Sequence, residues 1–146
     1  MKKCLKFFLI TILSLVGVSS FAGEKPIQPS ELPTAAIEYI KANFPTTTIS
    51  FATKDGGWFS TDYDVALSDS TMLEFDSAGE WAEIKNSLKG LSFDLLPQKI
   101  KATLEVRFVG SKVKSIEKKS NLIEVDLFDG RELKFDKSGN LVSVDD

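Results

Sequence analysis

Two stretches of the chain carry the same pattern: residues 63–81, YDVALSDSTMLEFDSAGEW, and residues 123–141, IEVDLFDGRELKFDKSGNL. The second lies 60 positions after the first, and both alternate apolar with polar residues. Alternation with a period of two predicts strands that pack on one face and meet solvent on the other. Each stretch therefore predicts antiparallel strands joined by tight turns. The identical positions are Val65, Leu67, Asp69, Leu73, Phe75, Asp76 and Gly79, matched by Val125, Leu127, Asp129, Leu133, Phe135, Asp136 and Gly139.

The segment before each stretch also repeats and predicts a helix. Residues 30–50 align with residues 94–114, and apolar residues recur at every fourth position in both. Ser30 and Asp94 are expected as N-caps, each followed three residues later by a proline in the first turn. The sequence thus predicts an α+β fold of two tandem repeats, each a helix followed by a four-stranded antiparallel sheet, with the helices packed on one sheet face. It leaves open whether the two repeats share one sheet.

Turn sequences occupy matching places in the two stretches. Asp-Gly at 129–130 predicts a two-residue hairpin turn, because both residue types tolerate a positive φ angle, and Asp-Ser at 69–70 is its counterpart. Asp76 and Asp136 each begin a four-residue sequence that ends in glycine and predicts a type I turn. An aspartate here accepts hydrogen bonds from its own turn. That interpretation is preferred to calcium binding, since the ligand series of an EF-hand loop is missing.

The first 22 residues have the three-part pattern of a secretory signal peptide. Lys2, Lys3 and Lys6 precede an apolar run, and small residues at Ser20 and Ala22 precede the expected cleavage site. The run is shorter than the roughly 20 apolar residues that span a bilayer. Cleavage removes the only cysteine and leaves 15 basic against 21 acidic side chains, a net charge of −6. We therefore expect a periplasmic or secreted protein whose mature chain has no disulfide.

The composition excludes several classes of function. The sequence contains no histidine, which excludes Ser-His-Asp and Cys-His catalysis and histidine-bound metals. The acidic balance argues against nucleic-acid binding, which requires clustered Lys and Arg. We expect no enzyme, no cofactor, no metal site and no nucleic-acid partner, and a membrane contact only through the signal peptide. The expected boundaries are a signal peptide (1–22), an extended leader (23–29), a first repeat (30–85), a linker (86–93) and a second repeat (94–146).

The solvated side of the predicted strands, called the open face below, carries the candidate binding residues. Counting by twos from the packed residues places Trp81 and Glu83 outward, whereas Ile49, Phe51 and Thr53 are expected on the packed side. Trp and Met are enriched at protein interfaces, and the carboxylates favour a basic partner. In the alternative, the Trp side chains fold over an edge and complete the core. The candidate binding residues are Trp58, Asp62, Asp64, Met72, Glu74 and Trp81 in the first repeat and Phe128 in the second.

These motifs resemble a known family. The Leu-Pro helix start, the Tyr/Ile-x-Val-x-Leu strand, the Asp-Ser or Asp-Gly turn and the Leu-x-Phe-Asp-x-x-Gly ending are similar to those of PepSY-like proteins, also called beta-lactamase-inhibitor-like. The resemblance covers residues 30–144 and implies a secreted or periplasmic protein of tandem helix-plus-sheet repeats. It also implies binding through the open face and a hairpin of the first repeat. That hairpin corresponds to Ser68–Thr71 and adds Asp69 to the candidate binding residues.

We therefore expect a non-enzymatic binding or inhibitor-like module with an unidentified protein partner. Two alternatives remain. One is a structural or envelope protein that self-associates through the open face, as a homodimer that buries Trp58 and Trp81 of both chains. The other is a hydrolase that uses paired carboxylates, for which Asp62, Asp64 and Glu74 are the candidates.

Overall fold

The computed structural model describes residues 23–57 and 59–146. Within these ranges two α-helices and nine β-strands form an α+β fold, and no helix is long and apolar enough to cross a bilayer. The predicted signal peptide and Trp58 lie outside the described residues. The helices are α1 (Thr34–Asn43) and α2 (Gln98–Arg107). The strands are β1 (Glu24–Pro26), β2 (Ile49–Gly56), β3 (Thr61–Leu67), β4 (Met72–Phe75), β5 (Trp81–Lys85), β6 (Val113–Lys118), β7 (Leu122–Leu127), β8 (Glu132–Asp136) and β9 (Leu141–Asp145).

The strands form one antiparallel sheet in the sequential order β1 to β9. The α+β class is confirmed, but separate four-stranded sheets are not seen. The sheet is continuous because Glu83–Lys85 of β5 pairs with Ser115–Glu117 of β6. The ninth strand comes from the expected leader, where Glu24–Pro26 pairs with the end of β2.

Both helices pack on the same face of the sheet. The buried residues of α1 pack against β2–β5, and those of α2 pack against β6–β8. Ile84 of the first hydrophobic cluster and Ile116 of the second are direct cross-strand partners, which share a face. The open face is therefore the opposite side of the whole sheet. The fully or nearly fully buried helix residues are Ala36 and Ile40 in α1 and Ile100 and Leu104 in α2.

The helices begin later than predicted. Ser30 and Asp94 are not helix N-caps, because they lie in short 3-10 turns ahead of the helices. Pro33 and Pro97 occupy the N-cap positions with ψ of 141°. A residue that precedes a proline is disfavoured in the α conformation, so the helix cannot extend backward through these prolines.

The turn predictions at Asp76 and Asp136 are confirmed, but the two hairpin turns differ from the prediction. Their loops have three residues, 68–70 and 128–130, instead of two, and only the last residue of each loop has a positive φ angle. Ser70 and Gly130 have positive φ angles of 69° and 97° in the two hairpin turns. The Oδ1 atoms of Asp76 and Asp136 each accept hydrogen bonds from the backbone N–H groups two and four residues later. These two carboxylates therefore hold their own turns closed.

A β-bulge reverses the predicted orientation of β2. The pairing with β3 shifts between Ile49 and Phe51, so Phe51 lies opposite Ala66 and Thr53 lies opposite Asp64. The prediction that these positions share the packed side is wrong for Phe51, because one extra residue reverses the alternation. Phe51 is consequently 49% exposed on the open face. Thr53 is also paired on the open side, but it is buried there, with 4% of its surface exposed.

A second bulge turns Trp81 toward the helices. Trp81 lies opposite Phe75, a fully buried residue, because the pairing shifts by one residue at Ala82. The indole packs against both hydrophobic clusters, and Lys118 Nζ lies 3.9 Å from its ring centroid. The predicted outward orientation of Trp81 is therefore wrong, and the alternative that Trp81 completes the core is confirmed.

Candidate protein-binding face

Five acidic residues lie side by side on the open face, one on each of five adjacent strands. Each is the direct cross-strand partner of the next. Strands are spaced about 4.8 Å apart, so this acidic row is about 19 Å long. Lys134 on β8 is the partner of its last member and ends the row. From β3 to β7 the acidic row consists of Asp64, Glu74, Glu83, Glu117 and Glu124.

The carboxylates of the acidic row repel one another. Like charges directly opposite each other destabilise a sheet. Burial, followed by the charges of Glu117 and Glu74, raises the pKa of Glu83. Burial and the charges of Glu132 and Glu117 likewise raise the pKa of Glu124. A nearby cation would therefore stabilise the row more than it stabilises an isolated carboxylate.

Lys119, in the turn between β6 and β7, forms ion pairs with two members of the acidic row. Its Nζ lies 2.6 Å from Glu117 Oε1 and 3.7 Å from Glu124 Oε2. Partial burial lowers the pKa of Lys119, but the hydrogen bond to Glu117 and the charges of Glu117, Glu124 and Glu83 together outweigh it, so the pKa lies above its usual range. Asp64 and Glu74, at the other end of the row, also make polar or electrostatic interactions.

An apolar row adjoins the acidic row on β2–β4. Phe51 lies opposite Ala66, and Ala66 lies opposite Met72. Phe51 is half exposed and Met72 is partly exposed. Aromatic and Met side chains bordered by charged residues are typical of protein interfaces. Phe51 was missed as a binding candidate because the bulge that exposes it leaves no mark in the alternation.

The structure brings together four of the eight predicted binding residues. Asp64 and Glu74 are direct partners in the acidic row, and Met72 lies in the apolar row. Asp62 lies on β3, two residues before Asp64. Trp81 lies on the helix side, and Trp58 is outside the described residues. The four residues on the open face are Asp62, Asp64, Met72 and Glu74.

Asp69 lies apart from the acidic row, at the turn between β3 and β4. Its carboxylate accepts a hydrogen bond from the Thr71 N–H at 2.9 Å and lies 2.6 Å from Lys89 Nζ. Burial raises the pKa of Asp69, but the hydrogen bonds from Lys89 and Thr71 outweigh it and hold the pKa below its usual range. Asp69 borders a groove of about 460 Å³ between the end of α1 and residues 89–95.

Phe128 also lies apart from the acidic row, one residue past the end of β7. Lys112 Nζ lies 5.4 Å from its ring centroid. The ring edge lies so close to Gly90 that a Cβ there would be 3.2 Å from it. Phe128 therefore contacts the segment that connects β5 to α2.

Sequence reasoning missed Glu117 and Glu124. Each alternates with a buried neighbour, Ile116 or Val125, so an outward orientation is predictable. Their place beside Glu83 depends on the pairing of β5 with β6, which no local pattern indicates. Across the described residues, no group of three or more acidic or cysteine side chains is arranged to hold a metal ion.

Replacing Glu83 with Gln is expected to stabilise the fold by about 0.5 kcal/mol at pH 7, because it removes like-charge contacts across two strand pairs. The pKa of Glu83 is raised in the folded state, so its ionised form is destabilising. The gain should shrink as the pH falls through this raised pKa and vanish below the unfolded-state pKa, where Glu83 is protonated in both states. Urea unfolding at several pH values measures this, with the exposed Glu38→Gln as control. A stability loss at pH 7 would contradict it.

Comparison with known proteins identifies one matching family model. The family described as "Putative beta-lactamase-inhibitor-like, PepSY-like" matches residues 61–143. This segment runs from the start of β3 into β9 and contains the whole acidic row. No curated protein matches the chain significantly.

Three solved structures from Bacteroides share the fold. Two are described as putative periplasmic proteins of Bacteroides vulgatus, both 32% identical, with TM-scores of 0.79 and 0.78. The alignments cover 85% and 84% of this chain and 100% and 97% of those chains. The third is described as a "putative calcium-regulated periplasmic protein" of Bacteroides thetaiotaomicron. It is 28% identical, has a TM-score of 0.79, and the alignment covers 84% of this chain and 97% of that chain.

Proposed function

Because the chain belongs to the PepSY-like, beta-lactamase-inhibitor-like family, we propose that it is a non-enzymatic binding module that holds a basic protein on its open face. Its location is the periplasm, one of the two locations that the signal-peptide pattern predicts and the location given in the descriptions of the three similar structures. The single observation that carries the proposal is the acidic row. A partner with Lys or Arg residues along one strand or helix would neutralise charges that repel one another in the free protein.

The apolar row supports the same proposal. Charged rims mainly raise the association rate and select the partner, whereas a few buried side chains, often aromatic, provide most of the binding energy. Phe51 and Met72 lie beside Asp64 and Glu74 on β2–β4. A partner seated there would cover both rows at once.

Self-association through the open face is disfavoured by the same charges. A two-fold contact between two open faces would bring one acidic row against another, in surroundings from which water is excluded. It would also leave Trp81 on the helix side of each sheet. The hydrolase alternative, with Asp64 and Glu74, would require loss of a measured hydrolytic activity in Asp64→Asn and Glu74→Gln with the fold retained.

We also propose that the chain consists of two tandem repeats, 30–85 and 94–146, joined by a linker at 86–93. One helix precedes β2–β5 and the other precedes β6–β9. The bulges in the last strand of each set fall at positions that correspond at the offset of 60. In this description the acidic row begins in the first repeat and continues into the second, so both repeats contribute to one binding face.

Capture from host periplasmic extract tests the proposal. Immobilised residues 23–146 are compared with a row variant, Glu83→Gln/Glu117→Gln/Glu124→Gln. The control, Glu38→Gln/Glu80→Gln/Glu105→Gln, makes the same change in net charge at exposed sites on α1, the turn before β5, and α2. We expect a basic protein retained by the parent and the control and lost from the row variant. Equal retention by all three proteins, or loss from both variants, would contradict the proposal.

A further inference from the structure

Among the residues that the structure describes, β9 has a neighbouring strand, β8, on one side only, and its other edge is unpaired. At the other edge of the sheet, β1 is three residues long and contains Lys25 and Pro26, which discourage pairing with another chain. The five residues of β9 include neither Lys nor Pro. Val142 and Val144 are 60% and 42% exposed. This edge therefore lacks the Lys and Pro that protect β1, and its only protective features are the bulge after Leu141 and the charge of Asp145.

The chain itself shows what a strand edge of this shape accepts. In β5 the bulge follows Trp81, and the next residues, Glu83, Ile84 and Lys85, pair antiparallel with β6. In β9 the bulge follows Leu141 in the same way. The residues that correspond to the pairing segment of β5 are therefore Ser143–Asp145.

The consequence of pairing is visible at the central residue of each strand. Ile84 is fully buried, and it lies directly opposite Ile116 on β6. Val144 occupies the corresponding place opposite Leu133 on β8, but its outer side has no described strand beside it. Val144 is 42% exposed, and unlike Ile84 it does not belong to a hydrophobic cluster.

We propose that β9 pairs antiparallel with β9 of a second copy of this chain, centred on Val144, so that the two sheets become continuous. A strand that meets its own copy around a two-fold axis places each residue opposite the one equally far on the other side of the centre. Val144 then meets the partner's Val144, as Ile84 meets Ile116. Ser143 meets the partner's Asp145, and Asp145 meets the partner's Ser143.

The side-chain chemistry favours this register. Ser115 and Asp126 are direct cross-strand partners in this sheet, and the Ser115 hydroxyl donates to Asp126 Oδ2 at 2.7 Å. The proposed register repeats that Ser–Asp pair twice and sets no two carboxylates directly opposite each other among residues 143–145. Lys134 Nζ already lies 2.7 Å from Asp145 Oδ2 and offsets its charge. The helices of both copies then cover one side, and both open faces remain available on the other.

Sedimentation of residues 23–146, which contain both hydrophobic clusters, tests the pairing. A contact along one strand edge buries less than about 1,200 Å², so a weak, concentration-dependent dimer is expected. Val144→Lys should raise the dimer dissociation constant at least about tenfold, because it places a charge at the centre of the pairing. The control is Val106→Lys, the same change at a more exposed valine on α2, which should dimerise like the parent. A parent that stays monomeric at all concentrations, or equal weakening by both variants, would overturn the proposal.

Disulfide trapping tests the register and does not depend on Val144→Lys folding. Residues 23–146 contain no cysteine, so Val144→Cys introduces one thiol per chain. The two thiols face each other at the centre and lie within reach of a disulfide. In the control, Ser143→Cys, the two thiols are diagonal, about 7–8 Å apart, beyond the usual reach. Rapid dimer formation by Val144→Cys alone is expected. Equal trapping of both variants, or trapping of neither, would overturn the register.

Discussion

Replacing Asn86 with Ala is expected to lower the free energy of unfolding by about 4 kcal/mol. The side chain is fully buried. Its Nδ2 donates to the Asp69 carbonyl at 3.2 Å and to Thr71 Oγ1 at 3.0 Å. Its Oδ1 accepts from the N–H groups of Leu88 and Lys89 at 3.1 and 3.0 Å. Alanine would leave these groups without partners, at about 1–3 kcal/mol for each one that stays buried.

The effect is large because Asn86 joins three separate parts of the molecule. Its amide holds the turn between β3 and β4, and its carbonyl oxygen holds the segment that leads to α2. Its backbone N–H donates to the Lys114 carbonyl on β6 at 3.0 Å. The segment 86–93, expected as a linker, is therefore anchored at its first residue where the two hydrophobic clusters adjoin.

Urea unfolding followed by circular dichroism measures the loss. Asn86→Asp keeps the volume and the two accepted hydrogen bonds, but an ionised carboxylate cannot donate to Asp69 or Thr71. Because this carboxylate is also a buried charge without a cationic partner, we expect it to cost at least as much as Asn86→Ala, about 4 kcal/mol. The control is Asn121→Ala, at the exposed turn between β6 and β7, which should change stability by less than about 0.5 kcal/mol. A loss below about 1 kcal/mol for Asn86→Ala would show that the network does not hold the three parts together.

Replacing Gly79 with Ala is expected to cost about 3 kcal/mol. Gly79 has a φ of +82° in the turn between β4 and β5, and this turn packs against the start of α1. A Cβ here would lie 2.8 Å from Pro33 Cβ and 2.9 Å from the backbone nitrogen of Ala36. Neither atom belongs to a flexible side chain, so the turn and the helix would have to separate.

Gly110→Ala separates the two causes of this loss. Gly110 has nearly the same φ, +79°, but a Cβ there would meet nothing within 4 Å. Its replacement should cost only the backbone strain, about 1 kcal/mol. Thermal or urea unfolding of both variants measures the difference, which isolates the contact between the turn and α1. Equal losses would contradict the packing described for Gly79.

Local features of this fold were predictable from the sequence. The apolar stripes of α1 and α2, the alternating strands and the turns at Asp76 and Asp136 each depend on residues within a few positions of one another. The α+β class follows from them. The helix starts were misplaced because Ser30 and Asp94 look like N-caps, whereas the prolines that follow set the start instead.

The binding face was only partly predictable, for two physical reasons. A bulge adds one residue and reverses the alternation, which moved Phe51 onto the open face and Trp81 off it. The acidic row also needs Glu83 beside Glu117, and this pairing joins residues 34 positions apart in sequence. Asp64 and Glu74 were found because a single hairpin brings them together.

The central claim is that a basic protein binds along the acidic row. The most direct test is to measure the affinity of the captured partner for the parent and for two variants of this chain. Titration calorimetry at two salt concentrations would compare the parent, the row variant with glutamines at 83, 117 and 124, and the control variant with glutamines at 38, 80 and 105. If a basic protein binds along the acidic row, the row variant should bind at least about tenfold more weakly than the parent, a difference of about 1.4 kcal/mol. The affinity of the row variant should also change less with salt concentration than that of the parent. The affinity of the control variant should stay within about twofold of that of the parent. Equal affinities for the parent and the row variant would place the partner on another surface and contradict the account.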